Sequence, residues 1–107
     1  MSPEISIKKV VHIIFQAREK MRLPEVRAFI GALNDDEKAH LVAIAWVGRG
    51  AFEPEDFAEA LRIAYDEATT PTADYLLGMP HLPENLENGL EALGYDVTKA
   101  EESFFER

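Results

Sequence analysis

With 107 residues, 47% of them hydrophobic and 29% charged, the chain has the length of one domain and enough apolar content for a core, which excludes a disordered acidic segment. It contains no cysteine, so disulfides, thiol nucleophiles and thiolate metal sites are excluded, in keeping with a reducing cytoplasm. A net charge of −9 repels phosphates and argues against nucleic-acid binding.

That charge is unevenly placed. Residues 1–33 carry six Lys/Arg against three acids, whereas residues 34–107 carry five against seventeen. A basic segment of this kind lies against the acidic part of its own chain or of another copy. No membrane span is expected, because the longest apolar run, Leu41 to Val47, is far short of the roughly 20 residues a spanning helix needs. Val10 to Phe15 follows two lysines as a signal peptide does, but His12 interrupts it and Arg18, Lys20 and Arg22 follow directly. These features together point to a cytoplasmic protein.

Helix start and stop signals dominate, and the only alternation typical of a strand is the short Ile5-Ser6-Ile7. A first helix is expected from Ile7 to Met21, with Ser6 as N-cap, Ile5 and Val10 as a hydrophobic staple, and Val10, Ile13, Ile14 and Ala17 on the apolar face. Pro24 suits the first turn of a second helix that runs to Leu33. The clearest start is Asn34, followed by two acids at the positive end of the helix dipole and by Glu37, which completes a capping box. The helix it opens, to Val47, is apolar nearly all round, as a central helix is, and Gly48 and Gly50 are expected to stop it. Trp46 belongs to this helix and is expected to be buried.

Glu53 and Pro54 open a fourth helix to about Ala68, with Phe57, Leu61, Ala64 and Tyr65 inward and Glu55, Glu59, Arg62 and Asp66 outward. Arg62 can bridge Glu59 and Asp66 at helical spacing. Thr70 and Pro71 open a short fifth helix that Gly78 ends. Pro83 opens a sixth, with Leu82, Leu86, Leu90 and Leu93 as its seam and Gly94 as its stop. The tail, residues 96–107, is expected to pack loosely, with a last turn from Thr98 and an aromatic pair, Phe104-Phe105, free to dock on the body or on a partner.

LVAIAWVGRG (Leu41 to Gly50) and DYLLGMPHLPENLENGLEALG (Asp74 to Gly94), with ALNDDE (Ala32 to Glu37) ahead of them, resemble the bacterial family called domain of unknown function 3775. Its members typically show ALNxxE and LVALAWxGRG, then YLLGxPxLxxxLExGLxxLG. The resemblance covers roughly residues 5–95 and implies no particular activity. His81 and Pro83 depart from it, in a stretch where leucine or glycine is expected, which weighs against a family-wide role for His81.

Glu37-Lys38-Ala39-His40 has the Glu-x-x-His spacing of di-iron bundles, but those need a second copy and two further glutamates, so a capped helix with a surface histidine is the better reading. His12, His40 and His81 lie on different elements without His-x-His pairing, and no metal site or cofactor is expected. Arg49, between two glycines, is the most distinctive side chain. It is placed either to clamp a carboxylate or phosphate or to complement the helix dipole and pair with the acidic fourth helix. The Leu77 to Pro83 loop presents His81 and, with Tyr75, a possible ridge for binding; it also suits a tight corner between two helices.

The expected fold is therefore all-α: one domain over residues 1–107, a compact bundle of five to six helices around a central apolar helix at about 35–47. The expected function is a small acidic non-enzymatic protein-interaction or regulatory module, self-associating as a homodimer or binding another protein, with Arg49, Tyr75 and His81 as candidate ligand or partner contacts and no catalytic residue assigned. The alternative is a small-molecule or metal-binding domain with hydrolytic chemistry at the same three residues.

Overall fold

The computed structural model describes residues 5–19, 23–66 and 71–97. Among them are six α-helices and no strand: α1 (Ile7–Arg18), α2 (Leu23–Gly31), α3 (Asp35–Arg49), α4 (Phe57–Asp66, preceded by a 3-10 turn at Pro54–Asp56), α5 (Thr72–Leu77) and α6 (Leu82–Ala92). The bundle is all-α, and α3 is its centre. Every residue of α3 from Ala39 to Val47 is buried, so this helix is apolar all round because neighbours cover it all round. Its chief neighbour is α6, followed by α4; α1 packs on α6, and α2 packs on α5 and α1.

The start signals act as local rules require. The Ser6 side chain accepts from the Lys9 amide at 3.2 Å. The capping box is complete: the Glu37 amide donates to Asn34 Oδ1 at 2.8 Å, and the Asn34 amide donates to Glu37 Oε1 at 3.1 Å. Ile5 and Val10 are both in the core. The seam of α6 is buried at Leu82, Leu86 and Leu90 and half-buried at Leu93. α1 ends at Arg18, short of the expected Met21, because Glu19 is already extended. Ala68, Thr70, Thr98 and the Phe104-Phe105 pair, to which sequence expectations attach, lie outside the described residues. Of the expected loose tail only its start is described, and there Val97 is buried.

Three further expectations are corrected. Gly48 does not stop α3: the helix runs through it to Arg49, and Gly50 makes the left-handed cap at φ 86°. Gly48 serves tertiary packing instead. A Cβ there would lie 1.6 Å from the Asn85 carbonyl oxygen of α6, and a Cβ on Gly89 of α6 would lie 2.1 Å from the Ile44 carbonyl oxygen of α3. The two helices cross backbone to backbone on this reciprocal pair, which draws the fully buried Leu41, Ile44, Leu86 and Leu90 together. Each such side chain contributes about 1.5–3 kcal/mol by leaving water.

The second correction is Tyr65, expected inward but 42% exposed. Its hydroxyl donates to Asp36 Oδ1 at the start of α3, so the ring lies along the surface with its polar end bonded. The third is His40, expected on the surface. It is 3% exposed, with its ring tilted against that of Phe57 at 5.7 Å. The wall that α4 builds over this side of α3 encloses the imidazole. The other two histidines are as expected: His12 is half-buried beside Phe29, with ring centroids 4.6 Å apart, and His81 is exposed.

Three cations of the basic N-terminal segment pair within the chain: Lys9 with Glu37, Arg18 with Glu87 at 3.1 Å, and Arg27 with Asp74. Lys8 is exposed, and Lys20 and Arg22 lie outside the described residues. Surface pairs of this kind contribute little each, about 0–1 kcal/mol.

Candidate functional site

The C-terminal end of α3 is where the candidate residues gather. Gly50 in the left-handed conformation reverses the chain, and its amide donates to the Val47 carbonyl at 3.0 Å. The reversal lays Phe52 back on Trp46, with ring centroids 5.8 Å apart and planes 29° from parallel. Trp46 is 7% exposed, so its indole N–H needs a partner. It finds one in α5, where the Tyr75 hydroxyl oxygen accepts it at 2.8 Å. The two motifs, LVAIAWVGRG and DYLLGMP, therefore meet in space at this bond.

Tyr75 is 37% exposed. A phenol oxygen that accepts from an indole keeps its own hydrogen to donate outward. Arg49 lies three residues beyond Trp46, hence on the same side of α3, and is exposed. The expected salt bridge from Arg49 to the acidic fourth helix does not form among the described residues: the ion pairs of α4 use Arg62, which holds Glu59 at 2.7 Å and Asp66 at 3.1 Å. Arg62 holds the Glu59 carboxyl below its usual range, and Glu59 in turn raises the guanidinium of Arg62. Arg49 keeps the dipole role, a cation one residue before the helix cap. Its guanidinium carries five donors in a planar fork, a geometry that matches a carboxylate.

His81 stands apart. It caps α6 from the α5–α6 loop at φ 59°, ψ 35°, and no hydrogen bond joins it to Arg49 or Tyr75 among the described residues. Its carbonyl accepts from the Asn85 amide at 2.9 Å, and the Pro80 carbonyl accepts from Asn85 Nδ2 at 3.2 Å, so the corner is tied by backbone bonds. A left-handed residue is a position glycine takes without cost and histidine takes at some strain. The imidazole therefore has a conformational context here and no partner chemistry.

Sequence reasoning missed Phe52. The signal was the glycine pair: a left-handed Gly50 returns the chain on itself and brings a residue two positions on against the last helical turn. Among the described residues no group of three or more His, Asp or Glu could hold a metal ion, and no helix is long and apolar enough to cross a membrane.

Comparison with known proteins gives one match. The model of a family described as Protein of unknown function (DUF3775) matches residues 23–95, about two-thirds of the chain, which takes in both motifs and the helices that carry them. No curated protein and no solved structure matches the chain.

Proposed function

The chain belongs to the DUF3775 family, and from that premise we propose that it is a small acidic, non-enzymatic protein-interaction or regulatory module of the cytoplasm, a single domain whose partner surface is the C-terminal end of α3. The observation that carries this reading is the exposed Arg49, without an ion pair among the described residues, beside the Trp46–Tyr75 hydrogen bond and the Phe52 stack. Lys9, Arg18, Arg27 and Arg62 are paired, whereas Arg49, Lys8 and Lys38 form no ion pair among the described residues. Of these three, Arg49 is the one that follows the hydrogen-bonded aromatic pair, which is what favours it as a contact for an external acid. Hydrolysis at Arg49, His81 and Tyr75 would need all three within reach of one substrate atom. No hydrogen bond brings His81 to Arg49 or Tyr75 among the described residues, which favours the non-enzymatic reading.

The proposed partner is a different protein. The reasons for expecting a homodimer weaken within one chain: α3 is covered by its own neighbours, and Lys9, Arg18 and Arg27 of the basic segment are paired with the chain's own acids. Light scattering over a wide concentration range should return a monomeric mass. A dimeric mass would move the partner surface to a second copy.

The test is quantitative affinity purification from the source cell with the wild type and the Arg49→Glu and Tyr75→Ala variants. A protein enriched by the wild type and lost with Arg49→Glu, at unchanged melting temperature, is expected. Identical partner profiles from wild type and Arg49→Glu would refute the surface.

A further inference from the structure

A second surface lies away from Arg49. Pro54, Glu55, Phe57 and Ala58, from the 3-10 turn and the start of α4, face Ala92 and Leu93 at the end of α6 across an open depression of about 340 Å³. That volume, in an open depression, has room for one or two side chains. Its lining is apolar apart from Glu55, and Glu53, Asp56 and Glu91, each next to a lining residue in sequence, are exposed. Residues 53–61 and 84–96 contain no Lys or Arg, and Arg62, just beyond, already holds Glu59 and Asp66. The C-terminal end of α6 adds the negative pole of its dipole. The positive pole of α4 also faces this way, but it amounts to roughly half a charge, and Glu55, Asp56 and Glu59 already stand over it.

We propose that this depression docks a basic segment of another protein, through a lysine or arginine whose alkyl stem lies on Pro54, Phe57 and Leu93 and whose head group meets Glu55 and the end of α6. Long cationic side chains bury their stems on apolar surface while the charge stays at a polar rim, which is the shape and polarity offered here. The complementarity is electrostatic, so it sets the partner's sign; the apolar lining sets its register. This surface shares no residue with Arg49, Phe52 or Tyr75, so it goes beyond the reading above and either can fail alone.

The probe is a fluorescein-labelled amphipathic helix of leucine and lysine, compared with a leucine–glutamate helix of the same length. Binding to the full chain is followed by fluorescence anisotropy at physiological salt. The lysine helix should bind and the glutamate helix should not. Glu55→Lys should weaken binding about tenfold or more, and Ala58→Trp, which fills the depression without changing charge, should do the same. Glu84→Lys, an equal charge reversal at the opposite end of α6, should leave affinity within about twofold. Both Glu55 and Ala58 are exposed, so these variants fold, which circular dichroism checks. Equal weakening by Glu84→Lys and Glu55→Lys would reduce the binding to net charge and overturn the proposal. So would undiminished binding by Ala58→Trp, or no binding by the wild type.

Discussion

At the N-terminal end of α3 the capping side chains are engaged within the chain: Asn34 and Glu37 bond each other's amides, Glu37 also holds Lys9, and Asp36 accepts from Tyr65, while Asp35 is exposed. At the C-terminal end of the same helix, Trp46 and Tyr75 satisfy one another while Arg49 stands exposed beside them and Phe52 is half-buried. One helix thus has an end whose cap is closed by reciprocal bonds and an end where an exposed arginine follows a hydrogen-bonded aromatic pair. The closed end fixes where the helix begins and which helices surround it. The open end has a buried indole held by one hydrogen bond and one ring stack, next to an arginine with no ion pair among the described residues, which is why the proposed partner surface is put there.

The largest effects are expected beneath the open end, at the buried Trp46 and the α3–α6 crossing. Trp46→Ala removes a buried indole and the donor that holds Tyr75, and should cost about 3–5 kcal/mol, a large share of the stability of a domain this size. Gly48→Ala should cost about 1–3 kcal/mol or more, because its methyl would strike the Asn85 carbonyl and part α3 from α6. Urea unfolding measures both. A Gly48→Ala protein as stable as the wild type would show that the two helices do not cross backbone to backbone.

At the closed end the losses should be smaller and local. Asn34→Ala removes the cap and its half of the box, at about 1 kcal/mol by the same assay. The closed end should also respond to acid. The hydrogen bond from Lys9, foremost, and the Asn34 amide hold the Glu37 carboxyl below the usual carboxylate range. A depressed folded value means that ionised Glu37 stabilises the fold above the ordinary value near 4.5, and that this contribution fades as pH falls through the depressed one. The stability difference between wild type and Glu37→Gln should therefore be constant from neutral pH to that range and shrink below it. A difference that grows with acid would contradict the pairing.

Residues whose roles are local were legible from sequence. Ser6, Asn34 and Glu37 act through amides within three positions of themselves, so spacing alone identifies them. Gly48 and His40 were not. A glycine near a helix end reads as a terminator by local rules, and only the path of α6 shows it to be a crossing point. Burial of His40 depends on where α4 lays Phe57, which the periodicity of α3 does not contain. Tyr65 has the spacing of an inward residue, and its hydroxyl bond to Asp36, 29 residues earlier, turns it outward. The candidate site was half legible. Arg49 and Tyr75 stood out by motif, while the Trp46–Tyr75 bond and the Phe52 stack needed the chain reversal at Gly50 to be seen in space.

Arg49 should matter least to stability and most to function. Its truncation to alanine should change stability by no more than about 0.5 kcal/mol, since it is exposed and forms no ion pair among the described residues. The most direct test of the open end as a partner surface is photo-crosslinking in the source cell, with a benzophenone side chain at Phe52 in one protein and at exposed Asp35 in another. The account predicts one discrete heterologous adduct from position 52, abolished by Arg49→Glu at unaltered melting temperature, and none from position 35. No adduct from position 52, or the same adduct from both ends of α3, would contradict it.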